Sequence, residues 1–145
     1  MKDPTAWEVD DLNELIKGQA EESIALEFKR ADALEDLANR QSADRRKEEI
    51  SKDVSAFANR TGGVIIYGIE EDDDEPYPAK ALSPINPTKC SKERLEQIIA
   101  SRIKPPIQNL VIRPVQVGSD AYVYAVNIPA SHTALRPPTS AITDV

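Results

Sequence analysis

The segment from residue 50 to 69, ISKDVSAFANRTGGVIIYGI, constrains the fold more than any other part of the chain. Apolar residues recur at helical spacing before the glycine pair, at Ile50, Val54, Phe57 and Ala58. This spacing predicts a helix over residues 43–60. Gly62 and Gly63 end that helix, because glycine readily adopts the positive φ that a helix end requires. The β-branched and aromatic run at 64–69 then predicts a strand that is buried inside a sheet.

The remaining elements are predicted from shorter patterns. Residues 7–16 indicate an amphipathic helix that ends at Gly18, and residues 31–42 a polar linker or a loose helix. We expect strands at 23–29, 109–117 and 121–129, a helix at 91–102 and an irregular Pro-rich crossing at 76–87. This order predicts an α/β (α+β) domain, in which the helices pack on one small mixed sheet.

The length of 145 residues fits a single domain. We expect this domain to occupy residues 1–130. Residues 131–145 are rich in Pro, Ser and Thr and predict a tail that does not fold alone, which we interpret as the start of a truncated continuation.

Composition excludes several kinds of catalytic site. Cys90 and His132 are the only residues of their types. A Ser/His/Asp triad, a multi-histidine metal site and a thiolate zinc site are therefore excluded, and hydrolytic chemistry would need carboxylates, lysine or a partner chain. No GxxxxGK[ST] motif is present, so no ATP site is evident.

The net charge of −7 argues against a protein that coats nucleic acid through bulk electrostatics. Local basic clusters nevertheless remain at Lys29-Arg30 and at Arg45-Arg46-Lys47, and they suit contact with a phosphate backbone. No apolar run is long enough to cross a bilayer and no signal-peptide pattern is present, so we expect a cytoplasmic protein without a membrane partner.

The stretch ESIALEFK raises the question of an acidic site. If its strand pairs with the one around Ile66, Glu27 and the pair Glu70/Glu71 would meet at one margin of the sheet, with Glu22 nearby. Carboxylates beside a lysine can hold Mg²⁺ or Mn²⁺ and activate water against a phosphodiester. The alternative is that all of these acids are only solvated strand and loop residues.

Two further features also have alternative interpretations. Asp53 is interpreted as an exposed charge or a neighbour of Lys52 rather than as a site acid. The Gly62-Gly63 pair either closes the helix or allows a ligand phosphate to approach the backbone amides.

Four segments resemble the Schlafen AlbA_2 domain in order and spacing: ESIALEFK, ISKDVSAFANRTGGVIIYGIEE, RLEQIIASRIKPPI and the strand that ends in VNIPAS. The resemblance extends from about residue 12 to 130, and the FAN…GG…GI run is its most specific part. The chain is most similar to prokaryotic members, in which this domain stands at the amino terminus of bacterial proteins described as DNA-binding or ATP-binding.

The resemblance implies a compact α/β domain that binds nucleic acid. In some relatives three acids form a metal-dependent nuclease site that acts on transfer and ribosomal RNA. The family's E-x4-E-F-K motif falls on Glu22, Glu27 and Lys29, and its third acid falls on Glu71, with Glu70 beside it. Nuclease-active relatives have Asp at this third position. Animal nuclease members build one groove from two such lobes, which implies a homodimer for a single lobe.

Three hypotheses follow. The first is a divalent-metal-dependent RNA endonuclease, in which Glu22, Glu27 and Glu71 hold Mg²⁺ or Mn²⁺ and Lys29 faces the scissile phosphate. Its contacts with RNA or DNA would come from the basic residues Lys29, Arg30, Arg45, Arg46 and Lys47. The second is a non-catalytic DNA- or RNA-binding regulatory module of a longer protein. The third is a dimerisation or effector-sensing domain with no nucleic-acid role.

Overall fold

The computed structural model describes residues 2–35, 37 and 40–131. The helices in these ranges are α1 (Val9–Lys17), α2 (Arg40–Asn59) and α3 (Lys92–Arg102), with 3₁₀ turns at Pro4–Ala6 and Ala31–Leu34. The strands are β1 (Leu26–Lys29), β2 (Gly63–Tyr67), β3 (Ile69–Glu71), β4 (Ala79–Leu82), β5 (Val111–Gly118) and β6 (Ala121–Ile128). His132 and nearly all of the expected tail lie outside the described residues.

The main sheet is mixed and has the strand order β1-β2-β6-β5. β1 runs parallel to β2, so that Glu27 stands opposite Ile65 and Lys29 opposite Tyr67. β6 is antiparallel to both of its neighbours, and β5 and β6 form the predicted hairpin. The predicted fold class, helices packed on a small mixed sheet, is therefore confirmed.

Both faces of the main sheet are covered by apolar side chains. On one face Ile65 and Tyr67 belong to a core that also contains Val54 and Phe57 of α2. On the other face Phe28 and Ile66 pack in a second core with Trp7, Leu12 and Ile69. Successive residues of a strand point to opposite faces, so β2 is buried on both sides, as its unbroken apolar run predicts. In the described ranges no helix has the length and apolarity needed to cross a membrane.

The strand predicted over 64–69 is wrong in its extent, because the chain turns at Gly68. Gly68 has a φ of 118°, and a Cβ atom there would lie 2.9 Å from the Cγ2 atom of Val123. Beyond this turn, β3 leaves the main sheet and pairs antiparallel with β4 in a small second sheet. The expected irregular crossing at 76–87 therefore contains a strand, and Glu71 lies on a strand rather than in an acidic loop.

The glycine pair closes α2 and brings two strands together. The N–H of Gly62 donates to the carbonyl oxygen of Phe57 at 2.8 Å, as at a helix end. Gly63 has a φ of 150°, and a Cβ atom there would lie 2.5 Å from the carbonyl oxygen of Ala25. The next residue, Val64, donates its N–H to that same oxygen at 2.9 Å. The group that comes close to this glycine pair is therefore the backbone of the chain itself, at Ala25.

Candidate functional site

Glu22 lies just before β1 and folds back onto it. Its Oε2 atom accepts a hydrogen bond from the backbone N–H of Phe28 at 2.8 Å. β1 is an edge strand with β2 on one side only, so the Glu22 carboxylate satisfies a donor that the sheet does not pair. This contact fixes one carboxylate at the outer edge of β1.

Glu71 brings a second carboxyl group to the same edge. Its neighbour Glu70 points elsewhere, with Oε1 3.9 Å from the guanidinium of Arg30. The carboxyl groups of Glu71 and Glu22 are hydrogen-bonded. Burial, this hydrogen bond and the charges of Glu22 and Glu27 raise the pKa of Glu71 to about 7. Two carboxyl groups in contact can share one proton, so the pair is protonated in mildly acidic solution.

Glu27 is the third acid predicted for the site. It alternates with Phe28 along β1, so the buried Phe28 faces the α1 side of the sheet and Glu27 faces the α2 side. Burial raises the pKa of the Glu27 carboxyl, Lys29 opposes this shift, and the charges of Asp53 and Glu22 reinforce it. The three predicted acids are thus close enough to influence one another's charge.

Lys29 is held by a residue that the sequence interpretation set aside. Its Nζ atom lies 3.3 Å from Oδ2 of Asp53, which extends from α2. The interpretation of Asp53 as an exposed or merely Lys52-adjacent charge is therefore wrong. Burial works to lower the pKa of Lys29, but the Asp53 and Glu27 carboxylates outweigh burial and raise it. Burial raises the pKa of Asp53 despite the attraction of Lys29.

Tyr67 places a buried hydroxyl group within electrostatic range of Asp53 and Glu27. The residue is 1% exposed, and its hydroxyl oxygen has no hydrogen-bond partner in the part of the chain that the structure describes. Burial raises the pKa of Tyr67 well above its ordinary value, and the charges of Asp53 and Glu27 add to the shift. Tyr67 stands opposite Lys29 in the β1–β2 register, so the two residues are neighbours on the same face of the sheet.

The predicted basic residues do not form one patch. Arg30 is turned toward Glu70. Arg45, Arg46 and Lys47 lie in succession on α2, and successive helical side chains point about 100° apart. Arg45 is exposed, Arg46 is partly buried at one margin of the apolar face, and Lys47 is partly buried between Val54 and Ala58 on the helical wheel. The assignment of all these residues to nucleic-acid contact stays a prediction.

The described residues, in the arrangement observed, contain no group of three or more Asp, Glu, His or Cys side chains that could hold a metal ion. The chemistry of the three acids still fits a hard cation, because Mg²⁺ and Mn²⁺ prefer oxygen ligands. One buried ligand atom is also unused, since Oε2 of Glu71 faces no donor. An ion at this position would have to displace the proton of Glu71 and draw the carboxylates closer.

Sequence reasoning missed Asp53, Tyr67 and Arg60 as neighbours of the acids. Arg60 follows the end of α2, and its guanidinium lies 5.1 Å from the centroid of the Phe57 ring. Its charge opposes the rise in the pKa of Glu27. A helical wheel of α2 would have placed Asp53 at the margin of the apolar stripe. The wheel does not reveal which strand that margin faces.

The fold and the site together define an α+β domain with a carboxyl cluster at the edge strand of its mixed sheet. The family model described as Schlafen, AlbA_2 matches residues 22–141, and the chain belongs to this family. The match continues past residue 130, where the sequence predicted the end of the domain.

Two solved structures have a similar fold. One is the solution structure of the amino-terminal domain of a candidate ATP-dependent DNA helicase, RecG-related, from Nitrosomonas europaea. It is 19% identical with a TM-score of 0.56, over 98% of this chain and 84% of that one. The other is the crystal structure of the DIP2311 protein from Corynebacterium diphtheriae, which is 16% identical with a TM-score of 0.53, over 89% of this chain and 26% of that one. A comparison with curated proteins finds no match.

Proposed function

We propose that this domain binds nucleic acid and hydrolyses RNA at the edge of β1, with a divalent ion held by Glu22, Glu27 and Glu71. Membership of the Schlafen AlbA_2 family supports the nucleic-acid part of the proposal. The likeness to the amino-terminal domain of a helicase-related protein is compatible with it. The family resemblance favours RNA cleavage over simple binding.

The observation that carries the proposal is that Glu22 is held against β1 by the Phe28 N–H, beside Glu27, with Glu71 close enough for both acids to raise its pKa. Like charges that are brought together from distant parts of the sequence destabilise the fold unless a proton or a cation lies between them. A cluster of this kind is common where a protein binds a cation or needs a shifted pKa.

The chain's own residues have distinct roles in the proposed reaction. Glu22, Glu27 and Glu71 provide oxygen ligands, and Mg²⁺ or Mn²⁺ held there would polarise a phosphoryl oxygen and make an attacking water more acidic. Lys29 places its ammonium group beside the acids and stabilises the negative charge that develops on the phosphate. Asp53 fixes the position of Lys29 through their ion pair.

A second candidate function is non-catalytic binding of DNA or RNA. It is favoured by the structural use of Glu22, whose carboxylate already pairs the Phe28 N–H and the Glu71 carboxyl group. It also agrees with the absence, among the described residues, of a ready three-ligand group. In this case the acids would close the edge of β1, and basic side chains elsewhere would bind the phosphates.

Cleavage of transfer RNA and of single-stranded DNA, each with Mg²⁺, Mn²⁺ or EDTA, tests the proposal. We expect the wild type to cut RNA with either ion and not in EDTA, and Glu27→Gln to lose nearly all of this activity. Glu21→Gln is the matched control, because Glu21 is an exposed neighbour that does not belong to the site.

The result separates the candidates. Binding of RNA without ion-dependent cleavage would contradict the nuclease proposal and support the non-catalytic module. Cleavage that persists in EDTA would contradict the dependence on a metal ion, and cleavage that persists in Glu27→Gln would contradict the role of Glu27. The absence of binding to RNA or DNA would favour the dimerisation or effector-sensing hypothesis.

A further inference from the structure

The helix α2 carries a line of side chains along the margin that faces β1. Residues seven apart on a helix lie about 20° apart around the axis and about 10.5 Å apart along it. Arg46, Asp53 and Arg60 have this spacing, with Arg60 directly after the end of the helix. We call the margin marked by these three residues the β1-facing flank.

The direction of this flank is fixed by contacts. Asp53 reaches Lys29 of β1 at 3.3 Å, so the flank is turned toward the site. The opposite margin of α2 is turned toward α3, because Asp44 lies 3.4 Å from Arg102. On a helical wheel Lys47 falls between Val54 and Ala58 on the apolar face, and Arg45 and Lys52 point away from the core. Their burial agrees, since Arg45 and Lys52 are exposed and Arg46 is partly buried.

The flank carries the acids Glu49 and Asp53 between two arginines, and both acids lie close enough to Lys29 to raise its pKa. Asp53, at the centre, is neutralised by its ion pair with Lys29. Arg46 and Arg60 lie on either side of it, about 21 Å apart along the helix. Neither takes part in an ion pair among the described residues. The Arg60 guanidinium is held by a bond from Nε to the Ala56 carbonyl oxygen at 3.2 Å and by the Phe57 ring.

We propose that the phosphodiester backbone of a nucleic acid lies along the β1-facing flank of α2, with Arg46 and Arg60 binding phosphates on either side of the site. This inference rests on the proposed function and adds to it the path of the ligand. The line from Arg46 to Arg60 passes Lys29 and the acids beside it. A nucleic-acid backbone on this path therefore presents a phosphate to Glu22, Glu27 and Glu71. Of the basic run at 45–47, only Arg46 belongs to the path.

The salt dependence of binding tests the path without any need for cleavage. We would measure the affinity of the full chain in EDTA between about 50 and 200 mM salt. The probes are fluorescent oligouridylate, oligothymidylate and a short DNA duplex, which separate RNA from DNA and single strands from duplex. The variants are Arg46→Gln and Arg60→Gln, with Lys52→Gln as the control of equal charge change on the outward face of the same helix. Arg60→Lys restores the charge at that position.

Each arginine that binds a phosphate contributes about 0.7 to the log–log salt slope for a single strand and about 0.9 for a duplex. We expect Arg46→Gln and Arg60→Gln each to lower the slope by this amount, Arg60→Lys to restore it, and Lys52→Gln to leave it unchanged. Helix content measured by circular dichroism verifies that every variant is folded.

Three results would overturn the inference. If the wild type binds but the arginine variants keep its slope, the path is wrong and the proposed function remains. If Lys52→Gln lowers the slope equally, binding is diffuse and no path exists. If the wild type binds none of the probes at the lowest salt, both the path and the proposed nucleic-acid function fail.

Discussion

At the scale of single residues, the site contains several acidic side chains around one ammonium group, that of Lys29. Glu22, Glu27, Asp53 and Glu71 lie in electrostatic range of one another or of Lys29. Only Asp53 forms an ion pair with Lys29. Repulsion among the others is relieved by a proton on Glu71, and this proton gives the metal-free protein a measurable pH dependence.

Glu71 should make the metal-free protein less stable as the pH rises. Its folded pKa of about 7 lies above the ordinary value of 4.5, so the folded state holds a proton that the unfolded state has lost. The stabilising contribution is full below about pH 4.5 and is lost as the pH rises through about 7. Urea unfolding in EDTA should show that Glu71→Gln removes this part of the pH dependence, whereas Glu70→Gln keeps it. An identical pH profile for the wild type and Glu71→Gln would contradict the shared proton.

The Lys29–Asp53 ion pair should contribute modestly to stability. The side chains of Lys29 and Asp53 are 30% and 31% exposed. We therefore expect a coupling free energy of about 0.5–1 kcal/mol. A double-mutant cycle with Lys29→Met and Asp53→Asn, followed by urea unfolding, measures it. The longer and more exposed Arg30–Glu70 pair is the comparison and should show less coupling. Additive effects of the two substitutions at Lys29 and Asp53 would mean that the two groups do not interact in solution.

At the scale of elements, the site depends on how β1 and β2 come together after α2 ends. Much of this could be predicted from the sequence, because the helical stripe, the glycine pair and the apolar run at β2 each have a clear local cause. The break at Gly68 could not, because it depends on the contact with Val123 of β6, which is remote in sequence. The ion pair of Asp53 with Lys29 could not be predicted either, because it depends on how α2 packs on the sheet.

Gly63→Ala should destabilise the domain far more than Gly118→Ala. A Cβ atom at Gly63 would lie 2.5 Å from the Ala25 carbonyl oxygen, and its φ of 150° is rarely adopted by other residues. We expect a loss of about 2–4 kcal/mol in the free energy of unfolding. Gly118→Ala is the control, because its Cβ atom would lie 3.5 Å from the Cβ atom of Ala121. Equal stability of the two variants would show that β1 and β2 are not in this close contact.

At the scale of the whole molecule, two apolar cores share one sheet. Phe57 and Val54 fill the core on the helix side, and Trp7 and Leu12 belong to the core on the other side. The fold class could be predicted from the sequence because both cores leave strong apolar patterns. The convergence of Glu22, Glu27 and Glu71 could be suggested only by pairing the strands, since β3 reaches the site after leaving the main sheet.

The shared sheet should make the domain unfold in one step. Loss of either core exposes a face of β2 and β6, so neither half is stable alone. Trp7, the only tryptophan, reports on one core through its fluorescence. The circular dichroism of the helices reports mainly on the core that contains α2 and α3. The two urea transitions should coincide, and an earlier fluorescence transition would show that the α1 side unfolds separately.

The central claim is that Glu22, Glu27 and Glu71 can share one divalent ion, and thermal melting with Mn²⁺ tests it most directly. At a concentration 100 times the Kd, an ion that binds only the folded state stabilises it by about 2.7 kcal/mol. We predict that Mn²⁺ raises the Tm of the wild type and of Glu21→Gln by several degrees, and leaves the Tm of Glu27→Gln unchanged. If Mn²⁺ fails to raise the Tm of the wild type, or raises that of Glu27→Gln equally, the three acids do not form a metal site.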